Sequence, residues 1–151
     1  MKVIGILGST GSIGTQLLDI VDANNLYQIE YLSANSNVNL LAEQALKFNP
    51  KKVCIADSTL ERSIASKLSG TDVEILSGKD GIRELSSDSS CELMVNAIVG
   101  YEGMIPTVSA IENNIDIALA NKESLVMAGS IIRSLLQSSS SKIFPIDSEH
   151  S

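Results

Sequence analysis

Two short segments carry the side chains most able to do chemistry. The first is Asp147-Ser148-Glu149-His150, after an apolar run. In an extended segment Asp147 and Glu149 project to the same side. Two such carboxylates repel unless a cation lies between them, and hard oxygen donors suit Mg²⁺ or Mn²⁺. A third ligand is normally wanted, and none follows before Ser151. A frayed acidic tail would account for the same spacing without any metal. His150 is the only histidine, and alone it fits a bystander better than a ligand or base. The second segment is Asn121-Lys122-Glu123-Ser124. Asn121 is suited to cap a helix. Lys122 is the only base there and could meet an anionic substrate or a ribose. The plainer alternative is a capped helix start with solvated charges.

A third segment has glycines where the others have charge: Gly8-Ser9-Thr10-Gly11-Ser12-Ile13-Gly14. It lies between an expected strand and an expected helix. There Gly8 permits the turn off the strand, Gly11 lets backbone approach a pyrophosphate, and Gly14 lets the helix lie close to the sheet. The N–H groups of Ser12 and Ile13 then face the phosphates, aided by the helix dipole. The spacing is GxxGxxG, a variant common among NADP-binding relatives of the fold. A glycine turn without ligand is the alternative, and the strand–turn–helix context argues against it. NAD enzymes place an acid at the end of the second strand for the ribose 2′-hydroxyl. Here the segment Ser33-Ala34-Asn35-Ser36-Asn37 has none, and Glu30 falls too early. A neutral polar loop tolerates a 2′-phosphate, so NADPH is the expected cofactor. An ordinary polar loop would read the same way.

The elements that must position these segments follow from periodicity. Strands are expected at Lys2–Leu7, Gln28–Ser33, Lys52–Ala56, Val73–Leu76, Glu92–Ala97, Ile115–Ala120 and Lys142–Ile146. Helices are expected at Ser12–Ala23, Asn37–Phe48, Ser58–Leu68, near Lys79–Leu85, Met104–Asn113 and Lys122–Gln137. Ile13, Leu17, Ile20 and Val21 should form the inner face of the first helix, and Leu40, Leu41, Ala45 and Phe48 that of the second. Asp57 or Ser58 should cap the third. Pro106 falls in a first turn, where a missing N–H does no harm. Pro145 marks the last strand as an edge. Such alternation implies an α/β, Rossmann-type, doubly wound and mainly parallel sheet with helices on both faces. It reads as one domain, 1–151, with no internal repeat or linker.

Composition narrows the partners. The net charge is −7, with no Lys/Arg cluster, so nucleic acid is not expected. Hydrophobic residues make up 44% and aromatics only 3%. A core of Ile, Leu, Val and Ala suits a helix-covered sheet better than a sandwich. Cys54 and Cys91 lie in apolar runs and read as reduced core thiols. No apolar stretch reaches membrane-spanning length, and the first run is too short for a signal-peptide core. A cytoplasmic location is expected.

Four segments together resemble one family: GSTGSIGTQLLDIV, VNAIVGYEGMIPTVSAI, ALANKESLVMAG and PIDSEHS. They are similar to 1-deoxy-D-xylulose 5-phosphate reductoisomerase, and the resemblance runs the length of the chain. It implies rearrangement of 1-deoxy-D-xylulose 5-phosphate to a branched aldehyde. NADPH then reduces the aldehyde to 2-C-methyl-D-erythritol 4-phosphate, a step towards isoprenoid precursors. A divalent cation (Mg²⁺, Mn²⁺ or Co²⁺) holds the substrate oxygens. Carried over by motif, Thr10, Gly11, Ser12 and Ile13 hold the cofactor phosphates, and Asn35, Ser36 and Asn37 face the adenosine ribose. Ala97 and Ile98 line the cofactor, and Asn121 and Glu123 bond near it. Lys122 contacts substrate, Asp147 and Glu149 bind metal, and Ser148 and Glu149 lie at the substrate. No residue here is assigned as a catalytic acid or base.

The chain departs from the family pattern twice. Many members carry a basic residue where Ser36 stands, which implies a modest preference for NADPH over NADH. Members are also longer. The resemblance implies that the third metal ligand, the phosphate-binding residues, a mobile loop and a C-terminal helical domain lie beyond Ser151. This piece is therefore expected to bind NADPH without turning over substrate. The family forms homodimers, with a sugar phosphate as small-molecule partner. Two other readings compete. A short-chain dehydrogenase needs a Tyr-x-x-x-Lys pair, but Tyr27, Tyr31 and Tyr101 are followed four positions on by Tyr31, Asn35 and Ile105. A non-catalytic nucleotide-binding module would leave the ANKES and DSEH segments without a purpose.

Overall fold

The computed structural model describes residues 1–120, 126 and 129–146. Strands and helices alternate along the chain. They are β1 (Lys2–Leu7), α1 (Ser12–Ala23), β2 (Tyr27–Ala34), α2 (Val38–Phe48), β3 (Lys52–Ile55), α3 (Glu61–Lys67), β4 (Glu74–Ser77), α4 (Gly78–Ser86), β5 (Leu93–Asn96), α5 (Met104–Glu112), β6 (Asp116–Leu119), α6 (Gly129–Gln137) and β7 (Ile143–Pro145). Short 3₁₀ turns at Ser58–Leu60 and Tyr101–Gly103 precede α3 and α5.

All strand pairs are parallel, in the order β4-β3-β2-β1-β5-β6-β7. The order reverses between β1 and β5. In open α/β sheets, ligands bind beside such a switch point, outside the carboxyl ends of the strands. Parallel strands are joined by crossover helices, which cover both faces. One apolar layer joins the sheet to α1, α2 and α3 through Leu18, Val21, Leu41, Ala45 and Ile64. The other joins it to α4, α5 and α6 through Leu85, Ala110, Ile111 and Ile132.

Most expected elements are present, with strand ends shifted by a residue or so, and β7 lies at an edge as Pro145 implied. Some expectations need correction. In α1 the inner positions are Gly14, Leu18 and Val21, whereas Ile20 is exposed. The buried stripe is rotated because Gly14, lacking a side chain, is the residue turned inward. In α2 the inner face includes Val38, Ala42 and the polar Gln44. The third helix opens as a 3₁₀ turn, with Asp57 accepting a hydrogen bond from the Thr59 amide. The start of the expected helix Lys122–Gln137 falls largely outside the described residues.

Glu30 has a structural role that its position in β2 did not suggest. Ile4 pairs with Ile29 but Gly5 pairs with Tyr31, so Glu30 is the extra residue of a β-bulge. The bulge resets the alternation. Ile29, Leu32 and Ala34 share the α1–α3 layer, while Tyr31 enters the opposite one. Both cysteines are free and buried. Burial pushes the Cys54 thiol up to about 12 and the Cys91 thiol up to about 11. No helix among the described residues is long and apolar enough to cross a membrane.

Candidate functional site

The glycine segment leaves the carboxyl end of β1, next to the switch point. Gly8 takes a φ of 79°, in the region open chiefly to glycine. A Cβ there would lie 3.0 Å from the Ala97 carbonyl and 3.2 Å from the Ile98 nitrogen, so the turn abuts the end of β5. The Gly11 amide donates to the Gly8 carbonyl at 3.3 Å, and the Thr15 amide donates to Gly11 at 2.9 Å, opening α1.

Gly14 is needed for a reason different from the one expected. A Cβ there would overlap the Gly8 carbonyl oxygen and come within 2.6 Å of the Ser9 Cα. The glycine therefore lets α1 sit against its own loop, more directly than against the sheet. Gly11 contrasts with both. Its φ of −79° and ψ of 179° suit any residue, and a Cβ would meet nothing closer than the Gly8 oxygen at 3.6 Å. Neither backbone strain nor packing among the described residues calls for glycine at that position.

Gly11 is the N-cap of α1, and among the described residues no side chain caps the helix. The first N–H groups of an α-helix have no acceptor within the helix, and here they open onto exposed Gly11 and Ser12. A bare N-terminus with its positive dipole end is suited to an anion.

The loop is tied from two other elements. At the end of β2, the Ser33 hydroxyl accepts from the Gly8 amide at 3.1 Å, and the Ser33 carbonyl accepts from the Ser9 amide at 2.8 Å. From α2, Gln44 makes two bonds to Ser9. Its Oε1 accepts from the Ser9 hydroxyl at 2.7 Å, and its Nε2 donates to the Ser9 carbonyl at 2.9 Å. Ser9, Ser33 and Gln44 are all buried.

Beyond β2, Asn35, Ser36 and Asn37 are exposed. Their backbone is fixed: the Asn35 carbonyl accepts from the Asp57 amide and the Ser36 carbonyl from the Val38 amide, both at 2.9 Å. The Asn37 carboxamide oxygen caps α2 through the Leu40 amide at 3.2 Å, and its NH₂ is the group able to donate to an anion. At the end of β5, buried Asn96 donates to the Gly103 carbonyl at 2.8 Å and the Thr107 hydroxyl at 2.9 Å. Its side-chain oxygen accepts from the Ile98 amide at 3.2 Å. Asn96 thus fixes the turn bearing half-buried Ala97 and Ile98.

The structure accordingly brings Thr10–Ile13, Asn35–Asn37 and Ala97–Ile98 to the carboxyl ends of three adjacent strands. Asn121, Lys122, Glu123, Asp147, Ser148 and Glu149 lie outside the described residues. The residues just before them are held at that same edge. The Ala120 amide donates to Asn96 at 3.0 Å, and the Ile146 amide to Leu119 at 2.9 Å. Sequence reasoning missed Ser9, Ser33, Gln44 and Asn96. A polar residue on an inward helical position was the available signal for Gln44.

Comparison with known proteins points one way. The family model for 1-deoxy-D-xylulose 5-phosphate reductoisomerase matches residues 4–129. The enzyme of that name from Chloroherpeton thalassium is 47% identical over 152 residues, covering 100% of this chain and 39% of the relative. A solved structure of the Zymomonas mobilis reductoisomerase in complex with NADPH superposes with a TM-score of 0.92 at 37% identity, covering 99% of this chain and 39% of that one. A DOX-P reductoisomerase in complex with NADPH, fosmidomycin and magnesium gives 0.93 at 39% identity, covering 99% and 37%. The chain thus spans about two fifths of the length of the relatives it matches.

Proposed function

The chain belongs to the 1-deoxy-D-xylulose 5-phosphate reductoisomerase family, and from that premise we propose that residues 1–151 are its NADPH-binding domain, ending at the start of the catalytic domain. The observation that carries this reading is the N-terminus of α1, uncapped by side chains among the described residues, beneath Gly11, a glycine that no contact among those residues requires. Thr10, Gly11, Ser12 and Ile13 hold the cofactor diphosphate, with the amides of Ser12 and Ile13 turned towards it. Asn35, Ser36 and the Asn37 NH₂ receive the ribose 2′-phosphate, with no carboxylate in that segment to repel it. Ala97 and Ile98 line the cofactor next to the loop, and Asn121 and Glu123 bond near it.

Lys122, Ser148 and Glu149 meet the sugar phosphate. Asp147 and Glu149 offer hard carboxylate oxygens, a donor set that suits Mg²⁺ or Mn²⁺. When bound, NADPH supplies the hydride and the cation polarises the substrate oxygens. In the whole protein the reaction converts 1-deoxy-D-xylulose 5-phosphate to 2-C-methyl-D-erythritol 4-phosphate. The 151-residue chain binds NADPH but does not turn over, because two carboxylates make an incomplete octahedral site.

The test is calorimetric titration of this chain with NADPH and NADH, with and without Mn²⁺, followed by an NADPH-oxidation assay with substrate. Saturable NADPH binding and no oxidation are expected. No saturation at concentrations on the order of millimolar, the weak end of the affinity scale, would sink the cofactor assignment. Robust oxidation would sink the assignment of inactivity.

A further inference from the structure

We propose that Gln44 is a positioning residue for the cofactor diphosphate, holding the glycine loop in its binding shape by gripping Ser9 from α2. The proposal rests on the reading of Gly8–Gly14 as an NADPH diphosphate loop.

Gln44 sits on the inward face of α2, only 7% exposed, where the neighbouring inward positions are Leu41, Ala42 and Ala45. A polar side chain at such a site costs free energy unless its hydrogen bonds are made. Both ends of the carboxamide are used, and both on the same residue. The orientation of the amide is fixed by chemistry: only its nitrogen can donate to the Ser9 carbonyl, at 2.9 Å, which leaves its oxygen to accept from the Ser9 hydroxyl, at 2.7 Å. The Ser9 hydroxyl has one proton. Its 3.2 Å contact with the Ser33 carbonyl is longer than the Gln44 bond, so Gln44 is the better acceptor.

The grip acts where the loop is set. Ser9 lies between Gly8, whose φ of 79° makes the turn, and Thr10-Gly11, which lead into α1. Ser33 holds Gly8 and Ser9 by backbone-directed bonds from β2, and Gly14 packs on Ser9 from α1. Gln44 is the contribution of α2. With Ser9 held from three elements, the amides at the mouth of α1 keep one direction before any phosphate arrives. Pre-organisation of this kind raises affinity by removing an ordering cost from the binding step. Gln44 does this without touching the ligand.

The experiment compares wild type, Gln44→Leu, Gln44→Glu and Ser9→Ala in the 151-residue chain. NADPH is titrated alongside adenosine 2′-phosphate, a probe of the ribose segment that has no diphosphate. Amide hydrogen exchange at Gly11–Ile13 is followed without ligand. Gln44→Leu leaves the Ser9 carbonyl without its donor, and NADPH affinity should fall about tenfold, the scale of one buried unmet hydrogen bond. Adenosine 2′-phosphate affinity should hold, and exchange at Gly11–Ile13 should quicken relative to β1. Gln44→Glu, of equal size but unable to donate when ionised, should show the same pattern. Ser9→Ala keeps the carbonyl bond and should lose less.

Equal loss of both ligands in the Gln44 variants would assign the residue a general structural role and overturn the proposal. So would unchanged NADPH affinity. If wild type binds no NADPH, the cofactor reading fails, and the exchange data alone decide the grip: unchanged exchange in Gln44→Leu and Gln44→Glu would dismiss it.

Discussion

On one side of β1, β2 buries six of its eight residues, and α2 turns Val38, Leu41, Ala42, Gln44 and Ala45 inward. On the other side, β7 is three residues long, with Phe144 and Pro145 exposed, and α6 buries only Ile132. Val99, Tyr101, Ile105, Ile131 and Phe144 are large apolar residues exposed on that second side, whereas the first exposes Ile20, Leu26 and Leu46. The glycine loop belongs to the first side and to the β1–β5 boundary, where each strand end is tied by buried polar side chains. The segments proposed to meet substrate and metal follow β6 and β7. The half proposed to bind cofactor is therefore braced by buried side chains of this chain. The half proposed to meet substrate has a backbone frame and apolar surface that the described residues leave uncovered.

The largest test of this contrast is a pair of truncations. Leu41 is fully buried in the α1–α3 layer, and Leu41→Ala should cost about 3 kcal/mol, from lost burial plus a cavity. Phe144 is 48% exposed on the edge strand, and Phe144→Ala should cost less than about 0.5 kcal/mol. Urea denaturation of both variants reads the difference. Comparable losses would show that the two sides are equally consolidated.

Next in size is a break inside the braced side. Gly14→Val should weaken NADPH binding by roughly 30-fold or more, the equivalent of about 2 kcal/mol of overpacking. The new side chain must displace the Ser9 backbone, and with it the loop. A variant that folds and binds NADPH as wild type does would show that the fit of α1 on Ser9 does not shape the site.

The order of elements and the glycine turn were legible because they depend on short-range patterns: alternating runs, caps and glycine spacing. Pro145 marked the edge for the same reason. What escaped depends on contacts distant in sequence. Gln44 meets Ser9 across 35 positions, and no local pattern joins them. The β2 bulge defeats periodicity directly, because one extra residue at Glu30 reverses which of Tyr31 and Leu32 faces which layer. The inner face of α1 was misjudged at Ile20 because its closest packing is made by Gly14, which hydrophobic periodicity does not count.

Raising the pH should loosen the α4–α6 layer. Tyr31, Cys54 and Cys91 all lie in it. Burial raises the Cys54 thiol to about 12 and the Cys91 thiol to about 11, and holds Tyr31 well above its ordinary value, with Cys91 beside it adding to the effect. In the unfolded chain the thiols ionise near their ordinary value of 9.0. Above that pH the unfolded state binds fewer protons than the folded one, so stability falls as pH rises. The contribution is complete below about pH 9 and is lost towards about pH 11–12, through the folded-state values. Urea midpoints taken across that window should decline, and Cys54→Ala/Cys91→Ala should flatten the slope. An unchanged slope in the double variant would show that the thiols do not carry it.

The smallest effect expected is on cofactor choice. Ser36 is exposed, and its segment is held by backbone bonds from the Asp57 amide to the Asn35 carbonyl and from the Val38 amide to the Ser36 carbonyl. A longer side chain at that position can reach outward without disturbing loop or helix. Serine offers a 2′-phosphate a neutral hydrogen bond, and arginine would offer a charge-assisted, bidentate one about twice as strong. Ser36→Arg should tighten NADPH by about fivefold, near 1 kcal/mol at an exposed position. NADH has no 2′-phosphate and should change little. Raising the salt concentration should erode the gain, since exposed charge pairs are screened. Paired calorimetric titrations at low and high salt measure all three. If NADPH and NADH tighten equally, the segment after β2 does not read the 2′-phosphate.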